Sequence, residues 1–204
     1  MHPNPVYRSD DREKAMDLVR ARGFGVLTAV GKDGVMASHI PYVVEGDRID
    51  AHLVRSNPIA RVLRTGSSEA LLIVSGPDGY ISPDWYWIED QVPTWNYVAV
   101  HLRGTLALRE DAALRPHLER LSAHNEEQLR PKKPWTLDKN TPETLDKMFR
   151  QIVPVQFEIA SVEATWKLNQ NKPESARQSA AQGVEGSPIG YENAALAALM
   201  RSSE

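Results

Sequence analysis

The side chains best suited to chemistry gather in three short segments: Tyr80-Ile-Ser-Pro-Asp-Trp-Tyr86, Val92-Pro-Thr-Trp-Asn-Tyr97 and Trp166-Lys-Leu-Asn-Gln-Asn-Lys172. Together they hold three of the five tryptophans and three of the six tyrosines, with amides and hydroxyls set between the rings. Flat aromatic faces beside amide and hydroxyl groups suit a planar ligand with a polar edge, such as a flavin. Packing alone accounts for Trp87 and Trp135, whereas Trp85, Trp95 and Trp166 have polar neighbours at loops or strand ends. Ser82 lacks the Gly-x-Ser-x-Gly setting of a nucleophile elbow and has no base partner in the pattern, which argues against serine hydrolysis.

A fourth segment, His52-Leu-Val-Arg-Ser-Asn-Pro58, leads a strand into a helix. The free N–H groups of such a helix start, with Arg55 and the Ser56 hydroxyl, form a candidate phosphate cradle. The plainer reading, a capped helix beside a solvated arginine, stays open. Ser38-His-Ile-Pro41 lies one strand earlier, and Pro41 within a strand marks an edge or bulge. His39, His52 and His101 fall on expected strands, but their spacing matches no metal-ligand pattern, so the expectation is no metal site. His117 and His124 are expected on the surface of a helix.

The chain has 204 residues, a formal net charge of −3 and no cysteine. Disulfides, thiolate metal sites and iron–sulfur clusters are excluded, and a reducing cytoplasm is the expected setting. The acidic balance argues against direct DNA binding. Arg130-Pro-Lys-Lys-Pro134, the densest basic stretch, reads as a solvated loop. No signal peptide and no span of about 20 apolar residues is expected, hence no membrane partner.

The elements that must position these groups follow from periodicity and turn chemistry. Asp10 is expected to cap a helix over 11–22, with Ala15, Met16, Leu18 and Val19 as its buried stripe. Residues 24–30 and 35–44 read as a hairpin around Gly31-Lys-Asp-Gly34, and 48–54 as a third strand. Asn57 and Pro58 start a short helix to about Arg64. Glu69–Val74 is a fourth strand, followed by a Gly/Pro/Ser/Asp-rich loop. Trp95–Leu108 is a long strand in which Gly104 signals a bulge or close backbone approach. A helix over 114–129, a second begun by Thr141 and Pro142, and a strand over 155–166 complete the domain. The fold class is mainly β with peripheral helices, a six-stranded antiparallel split β-barrel. Residues 1–171 form the domain, and 172–204 a loose extension with a terminal helix.

The ordered set of His52-Leu-Val-Arg-Ser-Asn-Pro58, Tyr80-Ile-Ser-Pro-Asp-Trp-Tyr86, Val92-Pro-Thr-Trp-Asn-Tyr97 and Lys167-Leu-Asn-Gln-Asn171 resembles the PaiB-type family. These are FMN-binding split-barrel proteins often described as negative transcriptional regulators. The likeness runs from about Val6 to Asn171. It implies a homodimer with FMN at the subunit interface. Carried over by position, Arg55, Ser56 and Asn57 face the phosphate, with Lys167 as a second cation. Ser38, His39 and Ile40 line the ring edge, and Trp95, Asn96, Gln170 and Asn171 approach the flavin. His52 and Ser82 complete the candidate cofactor set. The chain departs from the family pattern in the short acidic connection Trp87-Ile-Glu-Asp-Gln91 and in Asn169, where the family carries serine. The implied activity is that of an FMN-dependent oxidoreductase, a flavin or small-molecule reductase. His39, His52 and Tyr86 are the candidates for a general acid. A regulator sensing flavin or its redox state is the alternative, and a dimer with an empty pocket a third reading.

Overall fold

The computed structural model describes residues 1–32 and 34–203. Its strands are β1 (Arg8–Ser9), β2 (Phe24–Gly31), β3 (Gly34–Glu45), β4 (Arg48–Val54), β5 (Ser68–Ile81), β6 (Thr94–Leu108), β7 (Ile152–Lys167) and β8 (Gly190–Tyr191). The helices are α1 (Arg12–Arg22), α2 (Pro58–Val62), α3 (Leu114–Glu127), α4 (Pro142–Phe149), α5 (Glu174–Glu185) and α6 (Asn193–Ser202). The six long strands pair in the order β7-β4-β3-β2-β5-β6, and β6 also pairs with β7. That closed path is the connectivity of the expected split barrel. The sheet has eight strands rather than six, because the two-residue strands β1 and β8 attach to β7 and β5.

The chain divides into two compact units, one of Met1–Leu18, Ser75–His101 and Glu163–Glu204, the other of Val19–Val74 and Leu102–Val162. In the second unit β2 and β3 pair antiparallel from Phe24↔Pro41 to Gly31↔Gly34. The hairpin is therefore where the turn residues put it, although Asp33 of that turn lies outside the described residues. Alternate residues Leu27, Ala29, Ile49, Ala51 and Leu53 are buried, the period-two signature of strands with one face on a core. Leu27, Ile49 and Leu53 each contribute about 1.5–3 kcal/mol of burial energy, and each alanine methyl about 0.8 kcal/mol. Gly104 meets the expectation of close backbone approach, since a Cβ there would lie 1.9 Å from the Glu158 carbonyl oxygen.

Two helix starts are as the sequence reads. The Asn57 side chain accepts from the Ile59 N–H, and the Thr141 hydroxyl from the Thr144 N–H. At α1 the side chain that accepts is Asp11, from the Lys14 N–H, and not Asp10. On α3 the buried residues are Leu114, His117 and Leu121. His117 is thus not on the surface: it shares the i, i+3, i+7 stripe with two leucines, and face outweighs polarity.

In the first unit, the Gly76-Pro77-Asp78-Gly79 stretch expected to be loop belongs to β5. Its glycines admit neighbours rather than break the strand. A Cβ on Gly76 would lie 2.8 Å from Val98 Cβ, and one on Gly79 an equal distance from Val184 Cγ2. The segment after Asn171 is likewise not loose. α5 and α6 bury Ala176, Ala180, Ala181, Val184, Leu196, Ala197 and Met200, so small residues read as linker composition are a close helix–helix contact.

Candidate functional site

In the second unit, β3 and the start of α2 are joined by one bond: the Asn57 Nδ2 donates to Ser38 Oγ at 3.1 Å. Asn57 Oδ1 simultaneously caps α2, so one amide fixes both segments. Arg55 precedes it. Its Nε donates to the Arg150 carbonyl at 2.9 Å and its Nη2 to the Ile152 carbonyl at 3.1 Å, with Asp111 3.7 Å away. The guanidinium is held in one orientation by backbone groups, which leaves Nη1 as its uncommitted nitrogen. Ser56 is exposed beside it. α2 spans only five residues, so its dipole adds little, and side chains and loop N–H groups must do most of any anion binding.

His39 is exposed, and its ring stacks with Phe24 at a centroid distance of 6.1 Å. The Ile40 side chain is buried, so only its backbone is open to a ligand. His52 Nδ1 lies 3.1 Å from His117 Nε2, and burial lowers the pKa of both rings, that of His117 to about 4. Two adjacent neutral imidazoles, one ring's N–H donating to the bare nitrogen of the other, are the consistent state, and the neighbouring His52 adds to the depression at His117.

In the first unit, Trp95 is 46% exposed and meets Tyr80 edge-on at 6.4 Å. Asn96 is fully buried: its Nδ2 points at Met200 Sδ, 3.4 Å away, and its Oδ1 has no partner. Ser82 caps the single 3-10 turn Pro83–Tyr86 without a side-chain bond. Lys167 donates to Thr94 Oγ1 at 2.5 Å and lies over the Tyr7 ring, and burial lowers its pKa. Gln170 spends its amide on its own turn, accepting from the Leu168 N–H and donating to the Trp166 carbonyl. Asn171 is exposed. The thirteen candidate residues thus fall into two groups. Ser38 to Asn57 lie in one unit, and Ser82 to Asn171 in the other.

Trp85 and Trp87 exchange roles relative to expectation. A Cβ on Gly183 would lie 2.4 Å from the Trp85 indole, so Trp85 packs against α5. Trp87, read as packing, is 86% exposed at a left-handed residue (φ 53°) that ends the 3-10 turn and directs the side chain outward. Two residues outside the candidate cofactor set matter here. Asn169 has φ 66°, a backbone conformation that asparagine tolerates better than serine. Its Oδ1 accepts from the buried Tyr86 hydroxyl at 3.3 Å, and burial raises the Tyr86 pKa, so that phenol stays protonated. The other residue is His117. The Leu-Asn-Gln-Asn turn chemistry and the 114–117–121 stripe were the available signals for the two.

A flavin is tested by which polar atoms lack partners. Within the first unit, Trp166 Nε1, Asn169 Nδ2 and Asn96 Oδ1 are buried and unpaired, two donors and one acceptor enclosed by the protein. Within the second unit, Arg55 Nη1 is uncommitted and Ser56 is exposed, donors of the kind a phosphate takes, so this pair fits the phosphate end of the group.

The family model described as "Putative FMN-binding domain" matches residues 1–161. The chain belongs to the PaiB-type FMN-binding family. Its cofactor is a flavin, FMN by the family's description. Among curated proteins, it is 28% identical over 183 residues to protease synthase and sporulation protein PAI 2 of Bacillus subtilis, covering 86% of this chain and 84% of the relative. Among solved structures it is similar to the FAD and heme binding protein of Mycobacterium smegmatis, with a TM-score of 0.59 and 19% identity over 90% of this chain and 82% of the other. The flavocytochrome Anf3 of Azotobacter vinelandii gives a TM-score of 0.56 and 18% identity over 81% and 72%. At these identities the structural neighbours establish the fold. Among the described residues no helix is long and apolar enough to cross a membrane.

Proposed function

We propose that two copies of this PaiB-type chain hold FMN at their interface and that the assembly is a reductase of a small molecule. The observation that carries the reading is the Asn57–Ser38 bond, which sets the phosphate-type segment of α2 beside the ring-edge segment of β3 within one unit. Arg55, Ser56 and Asn57 hold the phosphate, and backbone groups of Ser38 to Ile40 meet the ring. Trp95, Lys167 and Asn171 approach from the second copy. Bound FMN supplies the electron-transfer chemistry, while the protein binds and orients it. Exposed Trp87, Val92 and Val35 support burial against a second copy. The Tyr86 hydroxyl is spent on Asn169 and the His52 ring on His117, so exposed His39 is the best-placed general acid.

The test is the visible spectrum of purified protein after FMN addition and desalting. Arg55→Ala is expected to lose FMN while riboflavin retention changes little. Equal loss of both ligands returns Arg55 to a structural role at the Arg150 and Ile152 carbonyls.

A second reading, regulation by flavin or its redox state, is supported by the relative named for protease synthesis and sporulation. The basic stretch near residue 130 gives it no help: Arg130 pairs with Glu127, and Lys132 with Glu126. A salt-dependent mobility shift of promoter DNA favours regulation, and NADPH oxidation with added FMN favours catalysis.

A further inference from the structure

Within the second unit lies a cavity of about 230 Å³ whose walls come from the end of β3, β4, the segment between β6 and α3, α3 and the start of β7. Its charged lining is Arg48, Arg109 and Arg120 against Glu45 and Asp50. Three cations against two carboxylates leave a surplus of one positive charge.

The internal pairs are specific. Arg120 reaches Glu45 at 2.6 Å and Asp50 at 2.7 Å, and Gln156 Nε2 donates to the other Asp50 oxygen at 2.9 Å. Arg109 Nη1 donates to Gln156 Oε1 at 2.7 Å. The two carboxylates are therefore consumed by Arg120 and Gln156. Arg109 keeps its second Nη free, and Arg48 makes no ion pair among the described residues. A buried lining side chain, His117, is also incompletely satisfied: its Nε2 faces His52, while its Nδ1 has no partner.

We propose that this cavity binds a small organic monocarboxylate, held by the guanidiniums of Arg48 and Arg109. A planar guanidinium fork matches a carboxylate, and the single surplus charge matches one anion. Glu45 and Asp50 in the same walls disfavour a phosphate dianion by like-charge repulsion. The remaining lining, with Ala113, Pro116, Pro154 and Val155, gives a short aliphatic body an apolar surface. The volume admits a compound of a few carbons and excludes a nucleotide. This site does not rest on the flavin reading, since neither Arg48 nor Arg109 belongs to the cofactor set.

The test is calorimetric titration of the full chain with butyrate and, separately, with inorganic phosphate, at constant ionic strength. Saturable one-site binding of butyrate is expected, with affinity falling about tenfold or more in Arg48→Ala. Arg48 is exposed and unpaired, so this variant is expected to keep its melting temperature and its retention of FMN. Arg109→Gln provides an independent second variant with the same expected loss. Absence of saturable butyrate heat overturns the proposal. So does unchanged affinity in both variants, or phosphate binding as tightly as butyrate.

Discussion

Asn57 and Ser38, nineteen residues apart in the chain, meet at 3.1 Å, and the same Asn57 side chain caps α2 through the Ile59 N–H. One residue thus serves a local and a tertiary purpose, and the two can be separated by substitution.

Asn57→Asp keeps an oxygen for the cap but loses the Nδ2 donor and adds negative charge beside the phosphate segment. Stability is expected to hold within about 0.5 kcal/mol in thermal melts, while FMN retention after desalting falls. Asn57→Ala removes both bonds and is expected to cost about 1–2 kcal/mol. An Asp variant that retains FMN as well as the parent would separate this asparagine from the phosphate.

Gly104 carries a backbone contact that no side chain can enter, because the obstructing atom is the Glu158 carbonyl oxygen. Gly104→Ala is expected to destabilise by about 3 kcal/mol, at the upper end of overpacking effects, read as a lower denaturant midpoint with unchanged slope. A near-neutral result would mean that β6 and β7 separate at little cost.

Leu196 of α6 is fully buried. Leu196→Ala is expected to cost about 2–5 kcal/mol. Removal of residues 172–204 is expected to abolish cooperative unfolding of the unit that contains them, followed by near-ultraviolet dichroism of the tryptophans. A truncated chain that melts like the parent would make the two helices an accessory.

The imidazole pair sets a pH dependence. Burial lowers the folded-state pKa of His117 to about 4, below its ordinary value of 6.5, so the unfolded chain binds more protons between those values. Stability from this group is complete above pH 6.5 and is lost as pH falls toward 4. His52, lowered in the same direction, adds to the slope. Chemical denaturation from pH 7.5 to 4 is expected to show this decline, and His117→Gln to flatten it.

Much of the architecture was legible because its signals are local. The Gly31–Gly34 turn, the Asn57–Pro58 and Thr141–Pro142 helix starts and the glycine at 104 each act through near neighbours in the chain or through a missing Cβ. The candidate site was legible as motifs only. Residues 76–79 show where local reading fails: a Gly-Pro-Asp-Gly string is turn chemistry by itself, yet Val98 and Val184 approach so closely that glycine becomes a packing requirement within a strand. The same holds for the C-terminal alanines, whose small size reads as linker until a second helix lies against them.

Family membership, the β2–β3 hairpin with the helix starts at Asn57 and Thr141, and the absence of thiol chemistry were settled by the order of residues alone, since each depends on identity and short spacing. Tertiary structure alone decided that Trp85 packs on Gly183 while Trp87 stands exposed, and that Arg55 is held by two carbonyls nearly a hundred residues away. It also decided that His117 meets His52 rather than water. Side-chain type fixes what a group can do, but burial and partners fix what it does, and those come from chain-distant contacts that close only when the barrel forms.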